Sequence, residues 1–150
     1  DDAVWECSHL GGHRFAATGV LLPWGYVYGR LTPASVADVL TEARRGRLHP
    51  DGLRGRSSST PAGQVAELEV RRAQGLWGVG DVAPTAILQR RDRAEVTCRL
   101  PKGSEVTVTL TQVDLPDTLP ASCGADPVGE RRWVPQAPES HWPTPEPICT

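Results

Sequence analysis

The 150-residue chain contains no methionine, a single phenylalanine and two tyrosines, and of its 16 basic residues only Lys102 is a lysine. No apolar run approaches the ~18 residues that a membrane-spanning helix needs, and no signal-peptide pattern opens the chain, so no membrane association is expected. Neither sign of charge dominates: 16 basic and 18 acidic residues leave a formal net charge of −2. A general nucleic-acid binder would carry a clear basic excess, so none is expected here. The four cysteines, Cys7, Cys98, Cys123 and Cys149, lie far apart and include no CxxC pair. That spacing excludes a zinc knuckle built by this chain alone and is too sparse for a disulfide-stapled secreted domain. Reduced thiols in a cytoplasmic protein are the expectation. Without a methionine even at position 1, and with a strand-like beginning, the sequence reads as the carboxyl-terminal part of a longer protein.

What is present suffices for one globular core, with 39% hydrophobic and 23% charged residues. Residues 4–9 alternate in the period-2 manner of a strand, Trp5, Cys7 and His9 on one side. Leu10-Gly11-Gly12-His13 breaks that pattern, because successive glycines favour a turn with unusual dihedrals. Residues 15–22 predict a buried strand, Pro23-Trp24-Gly25 a turn, and residues 26–31 its hairpin partner.

Thr32-Pro33 and Thr60-Pro61 each supply a hydroxyl cap followed by proline at the first helical position. Val36, Val39, Leu40 and Ala43 form one helical face, stopped near Gly46. Ala62, Val65, Ala66 and Leu68 form a second, ending near Gly75. Residues 47–59 between them predict a polar loop. From Thr85 onward strands are expected. The clearest are the alternating sets Ala94, Val96, Cys98, Leu100 and Val106, Val108, Leu110, joined by a Pro101-Lys102-Gly103 turn as a two-stranded unit with one buried face. One domain is predicted over residues 1–134, followed by a disordered, proline-rich tail over 135–150. No internal repeat is present. The mixture of strands and helices indicates an α/β or α+β domain.

The sharpest chemical feature is His9-Leu10-Gly11-Gly12-His13. At a strand end the two glycines let the backbone fold tightly, so both imidazoles can converge on one point, as metal ligands or as a hydrogen-bonded pair at a strand–loop junction. Here the residues carry a resemblance. Val4-Trp5-Glu6-Cys7-Ser8-His9-Leu10-Gly11-Gly12-His13-Arg14-Phe15-Ala16 resembles the signature of the sucrase/ferredoxin-like family, whose ferredoxin portion has a thioredoxin-like α/β fold. The similarity continues through Leu22-Pro23-Trp24-Gly25-Tyr26-Val27-Tyr28-Gly29-Arg30, Arg54-Gly55-Arg56-Ser57-Ser58, Gln64-Val65-Ala66-Glu67-Leu68 and Pro120-Ala121-Ser122-Cys123-Gly124, over roughly residues 1–134. Actinobacterial members look most similar, in keeping with the arginine-rich composition.

The resemblance implies a [2Fe–2S] cluster held by two cysteines and by the two histidines of an HxGGH loop, which map onto His9 and His13. Gly11 and Gly12 would shape that loop, and Arg14 would lie beside the ligands. Cys7, two residues before His9 on the same strand face, is expected as a packed strand thiol that could also sit near the cluster. The family's two cysteines belong to a Cys-x8-Cys segment upstream of the loop, and no pair among the cysteines here has that spacing. The implied function is electron transfer or redox sensing. Replacing thiolate by histidine removes negative charge and raises the reduction potential, and the second ring nitrogen can carry a redox-linked proton. Alternatives are a cluster-free interaction module or a zinc site at the same histidines. The basic run Arg44, Arg45, Arg47, Arg54 and Arg56 is expected as a solvated loop whose arginines cap carbonyls and nearby acids, or as a surface that docks an acidic redox partner protein. The fragment Gly78-Val79-Gly80 lacks the rest of a dinucleotide loop, and nothing pairs two carboxylates for glycoside hydrolysis, so sucrose cleavage is not expected.

Overall fold

The computed structural model describes residues 4–8, 10–120 and 127–136. They form two helices and two antiparallel sheets, so the expected mixture of α and β structure is present. The first sheet has strands β1 (Gly19–Leu21), β2 (Tyr26–Tyr28) and β3 (Leu53–Arg56) in the order β1-β2-β3. Val20 pairs with Val27, so the Pro23-Trp24-Gly25 segment does close a hairpin, and the Gly25 amide donates to the Leu21 carbonyl at 2.9 Å.

Three expectations for this half change. Residues 4–7 have no regular structure, Ser8 bends, and Trp5 is 87% exposed. Alternation alone makes no strand without a ladder to join, and no strand among the described residues pairs with this segment. The strand expected over residues 15–22 shrinks to β1, because the Phe15 amide donates to the Gly12 carbonyl at 2.8 Å and closes a 3₁₀ turn over His13–Phe15. The stretch expected as a polar loop contains β3. Its buried face consists of Leu53 and Gly55, and only one of these has an apolar side chain for a sequence pattern to register.

Helix α1 (Pro33–Arg44) begins as expected: the Thr32 hydroxyl accepts from the Ser35 amide, and the Ser35 hydroxyl accepts from the Thr32 amide at 2.9 Å. This reciprocal cap satisfies two donors that the first turn leaves unpaired. Helix α2 (Pro61–Gln74) is capped by Thr60 and ends at Gly75, whose φ of 66° is the left-handed conformation that glycine adopts without steric penalty.

The expected two-stranded unit is the centre of a four-stranded sheet, β4 (Ala83–Arg90), β5 (Arg93–Arg99), β6 (Glu105–Pro120) and β7 (Pro127–Pro135), in that order. Val96 pairs with Val108 across a 3₁₀ turn at Pro101–Gly103. Regular structure therefore continues to Pro135, into the stretch read as tail, and β7 contributes Trp133 to the core. Its two prolines stand at the ends of an edge strand, where a missing N–H disturbs the ladder least. Residues 137–150 lie outside the described residues.

Helix α2 is shared by both sheets. Ala62, Ala66 and Val70 pack with Ala94, Val96, Cys98, Val108, Leu110 and Trp133. Leu68, expected on that same face, packs instead into the second core with Tyr26, Tyr28, Val39, Leu48 and Leu53. β3 comes so close to α2 that a Cβ on Gly55 would stand 2.9 Å from Gln64 Cβ.

Between the two cores lies a polar group that hydropathy does not reveal. Glu67 and Arg71, one helical turn apart on α2, are both fully buried and joined at 2.9 Å. Tyr26 of β2 donates to Glu67 Oε1 at 2.7 Å and accepts from Arg71 Nη2 at 2.8 Å. Arg71 Nη1 donates to the carbonyls of Leu76 and Gly78, both at 2.9 Å. Removing the guanidinium strands a buried carboxylate, so Arg71→Ala is expected to lower the urea-unfolding free energy by about 3–5 kcal/mol. Arg72→Ala on the exposed side of the same helix should change it by roughly 0.5 kcal/mol or less.

Candidate metal centre

The loop that carries the paired histidines is built by backbone conformation. Gly11 and Gly12 have φ of 73° and 69°, two successive left-handed residues, and the His13–Phe15 turn follows directly. A Cβ on Gly11 would meet nothing within 4 Å, and one on Gly12 only ordinary contacts. Glycine is therefore required here by dihedral angle and not by space. The loop is tied to the first sheet behind it: the Arg30 amide donates to the Phe15 carbonyl at 2.7 Å, and the Leu31 amide to the Ala17 carbonyl at 2.9 Å. His9 lies outside the described residues, as does the side chain of His13, whose backbone forms the first residue of the turn.

Phe15 is the anchor of this loop. The Arg54 guanidinium lies 3.5 Å from its ring centroid and that of Arg14 lies 4.8 Å away. Both are within cation–π range, so the turn leaving His13 is pinned by two positive charges. Arg14, expected beside the ligands, stacks on the residue that follows it. Cys7 is a free, exposed thiol and not the packed strand thiol expected, because residues 4–7 join no ladder. Cys98 is the buried core residue that its strand pattern predicts, and burial, helped by the charge of Glu67, pushes its thiol up to about 12. A metal ligand must be a thiolate, and this site opposes one. Cys123 and Cys149 lie outside the described residues. Among the described residues no group of three or more His, Cys, Asp and Glu side chains could hold a metal ion.

The arginine run does not form one surface. Arg45 and Arg47 each reach a different carboxylate oxygen of Glu42 at 2.9 Å, and together they hold its carboxyl below the usual range, Arg47 contributing most. Arg54 is stacked on Phe15. Arg56 is half-buried, donating to the Tyr26 hydroxyl at 2.9 Å and to the Val79 carbonyl at 3.2 Å. The Gly78-Val79-Gly80 fragment, set aside as a nucleotide loop, thus supplies carbonyls to arginines. The signal for the Glu67–Arg71 pair is its four-residue spacing on a helix, but that spacing is usual on exposed faces and does not announce burial.

A glycine-shaped histidine loop on a small antiparallel sheet, with two arginines stacked behind it, defines a candidate ligand-binding turn on a mixed α/β scaffold. Residues 1–55 of the chain match the sucrase/ferredoxin-like family model, which spans this loop, the β1–β2 hairpin, α1 and most of β3. The resemblance read through to residue 134 is thus matched over its amino-terminal part. No curated protein and no solved structure matches the chain. No helix among the described residues is long and apolar enough to cross a membrane.

Two measurements check the chemistry of this region. Brief iodoacetamide treatment at about pH 8 should label Cys7 and spare Cys98 until the protein is unfolded. Burial also pushes the Tyr28 hydroxyl up to about 12. Both groups are held neutral by the fold, so the stability they contribute is complete below the unfolded thiol value of 9.0 and declines as pH rises toward about 12. Urea midpoints should fall over that interval, with a shallower slope in Cys98→Ala.

Proposed function

We propose that this chain is the histidine-bearing portion of a [2Fe–2S] ferredoxin-like protein that transfers electrons or senses redox state. The observation that carries the reading is the pair of left-handed glycines between His9 and His13, inside the segment matched by the family model. The residues fit one half of such a centre. His9 and His13 would be the two nitrogen ligands, Gly11 and Gly12 would set the turn between them, and two thiolates would come from a Cys-x8-Cys segment that these 150 residues do not contain. When bound, the cluster supplies one-electron redox chemistry, at a potential raised by histidine ligation.

The chain's own residues prepare for this in two ways. Phe15, fixed by Arg54 and Arg14, holds the exit of the turn, so the His13 backbone does not have to be ordered on binding. The two guanidiniums place positive charge behind the loop, which favours electron density arriving in front of it. Each ligating ring keeps a second nitrogen that can hold a proton. The three-stranded sheet with α1 and α2 would be the carboxyl-terminal portion of a thioredoxin-like unit in a domain over residues 1–134. An acidic redox partner in the cytoplasm would meet Arg44, Arg45 and Arg47, the exposed part of the basic run.

The test uses the full-length protein, purified anaerobically with its upstream segment, beside a His9→Ala, His13→Ala variant. The expected result is visible cluster absorption with about two irons and two acid-labile sulfides per chain, altered or lost in the variant. A colourless, folded protein that stays colourless after reconstitution overturns the reading in favour of a cluster-free module. Zinc bound at the same histidines, without iron, overturns it in favour of a redox-inactive site.

A further inference from the structure

Helix α2 covers one face of the four-stranded sheet, and the opposite face is turned to solvent. Burial alternates along β5: Ala94, Val96 and Cys98 are buried with α2, while Arg93, Glu95 and Arg99 point the other way and are exposed. The register carries this exposed face across the neighbouring strands. On β4, Arg90 and Leu88 stand opposite Arg93 and Glu95. On the other side Arg93 pairs with Thr111 of β6, and Thr111 and Val113 pair with Val134 and Arg132 of β7.

Charge is spread unevenly over this face. At one end Arg99 stands opposite Glu105, and the signs balance. At the end near the β4–β5 turn, Arg90, Arg93 and Arg132 have one carboxylate among them, that of Glu95, which Arg93 approaches at 3.6 Å. The other acids of this end are already taken: Asp92 and Asp114 both bind Arg131, at 2.8 and 2.9 Å. Arg90 and Arg132 make no ion pair among the described residues. Arg90 and Arg93 also stand directly opposite each other across the hairpin, a like-charge pairing that weakens the sheet. Leu88 and Val113 lie on the same face, 57% and 37% exposed.

We infer that this end of the exposed face docks an acidic segment of a partner protein that carries apolar side chains among its carboxylates. The carboxylates supply the counter-charge that the face lacks and relieve the repulsion between Arg90 and Arg93. The apolar side chains cover Leu88 and Val113, and arginine beside exposed apolar groups is the composition of protein interfaces. A nucleic acid fits less well. Trp133, the sole aromatic residue of the four strands, is buried on the side of α2, so no base can stack on it, and Glu95 and Glu105 oppose phosphates. These strands lie beyond residues 1–55 that the family model matches, and the inference does not depend on metal at the histidine loop.

The probe is a fluorescein-labelled peptide of glutamates with interspersed leucines, titrated with the full-length protein at low salt and followed by anisotropy. The titration is repeated with a Glu–Ser peptide, a Lys–Leu peptide and a thymidylate oligomer. The parent is compared with an Arg90→Gln, Arg132→Gln variant and with an Arg30→Gln, Arg72→Gln variant, which loses the same charge elsewhere. Relief of the Arg90–Arg93 repulsion should keep the melting temperature of the first variant at or above that of the parent, so weaker binding there is not unfolding. The expected result is Glu–Leu binding by the parent and the Arg30, Arg72 variant, weakened about tenfold or more in the Arg90, Arg132 variant and by added salt. The Glu–Ser peptide should bind less tightly and the Lys–Leu peptide not at all. No binding by the parent, equal binding in all three proteins, equal loss in both variants, or a Glu–Ser peptide as tight as Glu–Leu overturns the inference. Tighter binding of the thymidylate oligomer overturns it in favour of nucleic acid. Self-association in sedimentation that the Arg90, Arg132 variant abolishes overturns it in favour of a second copy of the chain.

Discussion

The Arg71 guanidinium is the constraint on which the two halves of the molecule depend. It is fully buried between two apolar cores, reachable by neither water nor a surface acid. Its charge is met by Glu67 on its own helix, the Tyr26 hydroxyl of the first sheet, and carbonyls of the segment leading into the second sheet. A buried ion pair of this kind is a poor source of net stability compared with apolar packing of equal volume, but it is demanding about geometry. Each partner comes from a different part of the chain, so only one arrangement of α2, β2 and residues 76–82 satisfies it. Burial and the neighbouring carboxylate both raise the Tyr26 hydroxyl, keeping it protonated to donate to Glu67.

That fixed frame matters for the histidine loop because the loop is attached to it at few points. Arg30 and Leu31, just after β2, hold the carbonyls of Phe15 and Ala17, while β3 sends Arg54 over the Phe15 ring. β2 is positioned by Tyr26 and β3 by its close approach to α2 at Gly55. The turn at His13 is thus referenced, through short contacts, to the same buried network. Under the proposed function, pre-ordering of the turn backbone would lower the ordering cost of a ligand shared by the two histidines.

Much of this architecture is legible in the sequence, and the exceptions have identifiable causes. Both helices follow from their Thr-Pro starts and glycine stops, because capping is local chemistry written in adjacent residues. The β5–β6 pair follows from strict alternation around a Pro-Lys-Gly turn. Four features are less visible: β3 has one apolar side chain on its buried face, and β7 lies among prolines. The alternation of residues 4–8 has no ladder to join. Leu68 packs opposite its helical neighbours, since α2 is buried on two sides and a single apolar stripe does not describe it. The glycine pair of the candidate site is readable as a turn, whereas the stacking of Arg54 on Phe15 joins residues distant in sequence and has no local signal.

The outer strands of the four-stranded sheet both carry proline. On β4, Pro84 lacks an amide and the register with β5 shifts between Pro84 and Ala86, while β7 begins and ends in proline. An open sheet edge beside exposed apolar side chains such as Leu88 is a template onto which another molecule can add a strand. Here a newcomer would meet a missing donor within β4 and a β7 edge bounded at each end by proline. Proline on each outer strand thus withholds donors that an added strand would use, a local obstacle to lateral growth written into the edges themselves.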